Sequence, residues 1–270
     1  MGISDGVTPL GRRPIDPGAS LDGPVCRPGR RSLVVLGDSI AYGWGVAQGS
    51  SYPALLESLL NRSRQARPPW QVVNAGMPGH TVMHGCLRYE RDVQVHAPRL
   101  VLIAFGLNDG ALRRTAVDLW REQTWLAQRV HLARPYAVWS RWRQRLPSFA
   151  QPPAEEHLCA PRIRRWFFER GLADLIRRAR RDGARVCLVS LSPVVRSLLG
   201  KSQWLSYVGY NESIRKVAVR NGTPLVDLWG NQAPSFRSEE MSSDGVHLTA
   251  AGQRWMAERV FESLESEGLV

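Results

Sequence analysis

Lysine is nearly absent from this chain. Only Lys201 and Lys216 occur, so 34 of the 36 basic side chains are arginine. Cysteine is scarce as well. Cys26, Cys86, Cys159 and Cys187 match no zinc-ligand spacing and no dense disulfide framework. That excludes a stapled mini-protein and fits a reducing compartment. Cys187 lies in an apolar run and reads as a small buried hydrophobe. No apolar run approaches the ~20 residues of a membrane-spanning helix. No apolar h-region follows the N-terminal charges, so no signal peptide and a cytoplasmic location are expected. No internal repeat occurs, which sets aside repeat architectures.

What is present suits a folded domain with a sizeable core. The chain has 270 residues, 43% of them hydrophobic. The net charge is +12, but it is not spread evenly. Residues 111–181 hold 16 arginines against six acidic residues, so the basic excess is a local surface feature.

Residues 1–30 contain five prolines and six glycines with no apolar periodicity, and are expected to form a disordered leader. Gly2-Ile3-Ser4-Asp5-Gly6 matches G-x-S-x-G, but no strand precedes it, so it is not a nucleophile elbow. Short apolar runs at Leu33–Leu36, Trp70–Val73, Leu100–Phe105, Arg185–Leu191 and Pro224–Trp229 read as five buried strands. Helical spacing covers Tyr52–Leu60, Thr81–Val95, Arg162–Arg181, Ser206–Asn221 and Thr249–Ser266. Alternating strands and helices imply a mostly parallel five-stranded sheet. Residues 111–160 break that rhythm. Five of the ten tryptophans lie between Trp120 and Trp166, among many arginines, and Pro147, Pro152 and Pro153 interrupt any helix. This segment is expected to be an insertion into a domain spanning 31–270. It follows the Asn108 loop, where it would flank or cover a site.

Three polar loops follow apolar strands: Gly37-Asp38-Ser39, Asn74–Gly79 and Gly106-Leu107-Asn108-Asp109. In a parallel sheet all three emerge at one edge, where open α/β sheets bind their ligands. A fourth polar block, Asp244-Gly245-Val246-His247, lies near the C-terminus. Ser39 could act as a nucleophile if His247 took its proton and Asp244 oriented the imidazole. The backbone N–H groups of Ser39 and Gly79 and the amide of Asn108 could stabilise an oxyanion. Asp38 reads as a structural hydrogen-bonder that braces its loop. Asp227, at a strand end, is a rival acid, and Asp244 is favoured because it is close to His247. His80 and His84 are four apart, but Thr81 stands where a zincin needs glutamate. Ser213-x-x-Lys216 matches a penicillin-binding pattern without its companion motifs.

These four blocks, G-D-S-I at 37–40, N-A-G-M-P-G at 74–79, G-L-N-D at 106–109 and D-G-V-H at 244–247, resemble those of the SGNH hydrolases, the GDSL esterase/lipase family. The resemblance covers about 32–110 and 184–270. It implies a flavodoxin-like three-layer α/β/α sandwich. It also implies a serine ester hydrolase working through an acyl-enzyme, with Ser39, Asp244 and His247 as triad. Ser39, Gly79 and Asn108 would form the oxyanion hole. Block two can also be read with Gly76, but the family spacing favours Gly79. No metal or organic cofactor is implied, and the substrate is a small-molecule acyl ester.

Two other readings use the same machinery: an acyltransferase, and an esterase of O-acetylated sugars. A third makes the Trp/Arg segment a binding surface for nucleic acid or for an anionic surface contacted through 111–181. No recognisable nucleic-acid module accompanies it, so nucleic acid is the weaker partner.

Overall fold

A computed structural model describes residues 30–47, 49–62, 68–113, 159–229, 236 and 238–270. The expected leader and most of the expected insertion therefore lie outside the described residues.

Five parallel strands form one sheet: β1 Arg31–Gly37, β2 Trp70–Gly76, β3 Leu100–Ala104, β6 Arg185–Val189 and β7 Leu225–Val226, in the order β2-β1-β3-β6-β7. Leu33, Val34, Val35 and Leu36 of β1 are all fully buried. A strand buried on both faces has no polar side to show, which is why β1 reads as an unbroken apolar run. Two further strands among the described residues, β4 Leu112–Arg113 and β5 Ala160–Pro161, pair antiparallel in a short ribbon.

Among the described residues the helices are α1 Ser39–Tyr42, α2 Tyr52–Leu60, α3 Val82–Asp92, α4 Leu107–Gly110, α5 Arg165–Arg181, α6 Lys201–Arg220 and α7 Ala250–Ser266. Helix α2 packs with α7, while α3 packs with α5 and α5 with α6. With the sheet between them these make three layers. In α5 the buried residues Phe168, Gly171, Leu172, Leu175, Ile176 and Ala179 recur at helical spacing.

The register sets the working edge. Gly37 lies opposite Gly76 on one side and Ala104 on the other, so β1, β2 and β3 end level. The loops that follow them leave the sheet together. Because β1 lies between β2 and β3, the chain reverses its direction of winding there, where such sheets open a crevice.

Several expected boundaries move: helix α5, expected from Arg162, starts at Arg165, β2 runs on to Gly76 and β6 ends at Val189. Helix α3 stops at Asp92, and a 3-10 turn at Gln94–His96 follows, ending at a left-handed Ala97. Helix α6 starts at Lys201, ahead of the expected Ser206. Strand β7 is only Leu225–Val226, because the ladder ends when the Leu228 N–H donates to Ser190 Oγ at 2.7 Å.

Candidate active site

Ser39 is the first residue of α1. Asp38 caps that helix, its Oδ1 accepting from the Ile40 N–H at 3.0 Å. As first residue, Ser39 has a backbone N–H with no acceptor inside its own helix. The far end of α1 is tied down by side chains. Asn74 Nδ2 donates to the Ala41 carbonyl at 2.8 Å, and Gln253 Nε2 to the Ile40 carbonyl at 3.1 Å. Gln253 Oε1 also accepts from the Tyr52 N–H at 2.7 Å, joining α1 to α2. Gly76 lets this arrangement close, since a Cβ there would lie 2.3 Å from the Tyr42 nitrogen.

Behind the Gly37–Ser39 loop, Arg88 is buried. Its Nη2 donates to the Gly37 carbonyl at 2.8 Å and its Nη1 to the Ala75 carbonyl at 2.7 Å and Asp92 Oδ2 at 2.5 Å. One guanidinium thus holds the ends of β1 and β2 together. Burial alone would raise the Asp92 carboxyl, but hydrogen bonds from Arg91 and Arg88 outweigh it and hold the group below the usual carboxylate value.

The 242–248 loop carries the other partners. Asp244 Oδ1 accepts from the Val246 and His247 N–H groups, each at 2.9 Å. Its Oδ2 lies 2.6 Å from His247 Nδ1. The loop is fixed to the segment after β6 by the Val195 N–H, which donates to the Gly245 carbonyl at 2.9 Å. His247 Nε2 then lies 3.0 Å from Ser39 Oγ. Burial raises the Asp244 carboxyl, but the His247 side-chain bond and the two backbone N–H bonds more than offset it, so the group sits below its usual value. An ionised carboxylate at Nδ1 keeps the ring proton there and leaves the Nε2 lone pair facing the serine. The Trp44 ring stands beside the imidazole, centroids 6.2 Å apart. Asp227 is engaged elsewhere, with Arg215 Nε at 2.8 Å.

Gly79 and Asn108 follow the ends of β2 and β3 at the same edge. Gly79 is exposed and left-handed, with φ +76° and open space where a Cβ would be. The Gly76 N–H, by contrast, is taken by Asn74 Oδ1 at 2.9 Å. Of the two glycines in block two, only Gly79 thus stands open to the loop edge. Asn108 is half-buried in α4, and its Oδ1 accepts from Arg162 Nη1 at 3.2 Å. The next residue, Asp109, is fully buried. Its Oδ1 takes the Val82 N–H at 2.9 Å, while Oδ2 has no hydrogen-bond partner among the described residues. Burial pushes the Asp109 carboxyl up to about 8 and the Asp38 carboxyl up to about 6.

His84 Nδ1 lies 2.8 Å from Thr81 Oγ1 and accepts from the Thr81 N–H at 3.2 Å, closing a capping box at the start of α3. Burial pushes His84 down to about 4 and His80 to about 3. Among the described residues no three His, Cys, Asp or Glu side chains converge as a metal site requires.

A model of the GDSL-like lipase/acylhydrolase family matches residues 35–255. The chain belongs to that family. Among curated GDSL relatives, the thioesterase 1/protease 1/lysophospholipase L1 of Escherichia coli (strain K12) is 37% identical over 79 residues, 29% of this chain and 35% of that protein. An arylesterase of Vibrio mimicus is also 37% identical over 79 residues, 29% of this chain and 38% of that one. The matched stretch thus spans little more than a third of either relative. Among solved GDSL-type structures, a lipase/acylhydrolase from Enterococcus faecalis superposes with a TM-score of 0.62. It shares 18% identity, over 88% of this chain and 96% of that one, and so attests to the fold.

Arg88, Gln253 and Arg162 are the residues at this site that motif reading passes over. Arg88 and Asp92 carried a signal. They fall on the buried stripe of α3 with Val82, Gly85 and Tyr89, where charged residues need partners.

Proposed function

We propose that this chain hydrolyses carboxylic esters through an acyl-enzyme on Ser39. His247 is the general base, Asp244 holds its tautomer, and the Ser39 N–H, Gly79 N–H and Asn108 Nδ2 receive the oxyanion. The observation that carries this reading is the continuous run Asp244 Oδ2–His247 Nδ1 at 2.6 Å and His247 Nε2–Ser39 Oγ at 3.0 Å. Ser39 Oγ attacks the ester carbonyl as its proton passes to Nε2. The tetrahedral oxyanion collapses, the C–O bond to the alcohol breaks, and Nε2 returns the proton to the leaving oxygen. Water repeats the sequence on the acyl-Ser39 ester and releases the acid.

The test is labelling with a fluorophosphonate. One equivalent on Ser39, prevented by Ser39→Ala, is expected, and EDTA should leave turnover unchanged. Labelling elsewhere, or none in an active protein, would defeat the proposal. An added alcohol or sugar acceptor separates hydrolase from acyltransferase by the product formed. Nitrophenyl esters of increasing chain length, beside acetylated sugars, sort the substrate classes.

Contact with an anionic surface is the second reading. Trp166 and Phe167 are exposed at the start of α5, with centroids 4.5 Å apart, Arg170 over the Trp166 ring at 4.8 Å, and Arg164 and Arg165 exposed beside them. Salt-sensitive sedimentation with anionic but not neutral vesicles supports it, and equal behaviour with both sinks it. A cytoplasmic location is proposed on the scarcity of cysteine, and cell fractionation tests it.

A further inference from the structure

We infer that Arg162 is a positioning residue for the oxyanion site: it fixes which end of the Asn108 amide faces Ser39. The inference rests on the proposed role of Asn108. Arg162 Nη1 donates to Asn108 Oδ1 at 3.2 Å, from 54 residues further along the chain. A guanidinium has donors and no acceptor, so it can hold the oxygen end of an amide and never the nitrogen end. With Oδ1 held, Nδ2 is the end of the amide left to meet the ester oxygen on which charge develops. A flipped amide would present an oxygen to that charge and replace attraction by repulsion.

Arg162 is itself firmly held. It is 7% exposed. Its backbone N–H donates to the Ala111 carbonyl at 3.1 Å, and that of Ile163 to the Asp109 carbonyl at 3.1 Å. Residues 162–163 therefore run alongside 109–111 and grip the Asn108 turn by backbone and side chain together. The other side of the turn is fixed from α6. Ser206 Oγ and Gln203 Nε2 donate to the Gly110 carbonyl at 2.7 and 3.0 Å, and Tyr210 Oη donates to the Ile163 carbonyl. Pairing of Leu112 with Pro161 in the ribbon sets the register. A slip of one residue would carry Arg162 away from Asn108.

The experiment is a double-mutant cycle on Arg162 and Asn108, read as kcat and KM on a small nitrophenyl ester, with Ser39→Ala as reference. Arg162→Met keeps the apolar stem and removes the donors. It is expected to lower kcat about 10- to 100-fold with KM nearly unchanged, the scale of a slightly misplaced catalytic group. Arg162→Met combined with Asn108→Ala should be no slower than Asn108→Ala alone, because nothing remains to be oriented. Arg162→Lys, which keeps charge and a donor, should recover part of the loss. Losses that multiply, or a raised KM with intact kcat, overturn the inference. Should Arg162→Met melt below the assay temperature, the cycle is run with Arg162→Lys, where multiplying losses are equally fatal. Wild-type kcat in the Arg162 variants beside a crippled Asn108→Ala removes the clamp alone. Wild-type kcat in Asn108→Ala or Ser39→Ala removes the acyl-enzyme reading, and the clamp with it.

Discussion

Asp244 uses one carboxylate twice. One oxygen fixes the backbone at Val246 and His247, and the other meets the imidazole. The tautomer and the loop conformation are therefore set together. On the proposed mechanism, Ser39→Ala and His247→Ala each remove nearly all turnover. The double variant should be hardly slower than either, since residues acting as a unit are non-additive. Steady-state rates of the three variants decide this, and multiplying losses would show separate roles. Asn108→Ala should lower kcat by roughly 10² to 10³, about 2.7–4 kcal/mol, with little change in KM. These residues are legible in the sequence because each sits in a compact block, Ser39 and Asn108 at the end of an apolar run and Asp244 and His247 three residues apart near the C-terminus. Arg162 is not. Its partner lies 54 residues away, and no spacing rule links a guanidinium to a distant amide oxygen.

At the level of elements, strands and helices follow from apolar periodicity, while their ends follow from tertiary bonds. The first turn of α6 shows this. Lys201 and Leu205 are exposed and off any apolar stripe, yet Gln203 and Ser206 bond the Gly110 turn and extend the helix. Nothing local announces that. The same holds for β7, which stops because the hydroxyl of Ser190, just past β6, takes the Leu228 N–H. Helix α3 offers the sharpest test of an element. Through Arg88 it holds the Gly37 and Ala75 carbonyls, and Arg88 and Asp92 are 6% and 2% exposed at the side chain. Arg88→Met removes a donor from each of the Gly37 and Ala75 carbonyls, of which Gly37 keeps the Met77 N–H at 3.2 Å, and leaves Asp92 with only Arg91. A loss of about 3–5 kcal/mol is expected, the range for breaking a buried pair from one side. Urea unfolding measures it, and a loss below ~1 kcal/mol would mean that Arg88 is dispensable to the β1–β2 edge.

For the whole molecule, two buried carboxyls set an unusual dependence on pH. Asp38 and Asp109 are pushed up from 3.8 to about 6 and about 8. Between the unfolded and folded values the native state binds more protons than the unfolded chain, so stability falls as pH rises through that interval. His80 and His84, pushed down from 6.5 to about 3 and about 4, act in the opposite sense, but only up to 6.5. The interval from about 6.5 to about 8 therefore belongs mainly to Asp109. Stability there should decline with rising pH, and Asp109→Asn should flatten the decline. Denaturant midpoints at several pH values test this, and an unchanged slope in the variant would clear Asp109 of it. Neither effect is visible from sequence, where Asp109 looks like a turn residue. Its burial depends on α3 and α6 closing over α4.

The β4–β5 ribbon has a consequence for how such a protein can vary. Leu112 pairs with Pro161 and Arg113 with Ala160, so the chain departs and returns at neighbouring points. With the two junctions already joined, the host fold is largely indifferent to the number of residues strung between them. The entropy of closing a longer loop grows only logarithmically. The paired junction of Arg113 and Ala160 is therefore a socket into which foreign segments could be spliced. The socket has one requirement. A graft must restore the pairing that returns Arg162 beside Asn108, so a splice off by one residue would fold and still lose the amide's orientation.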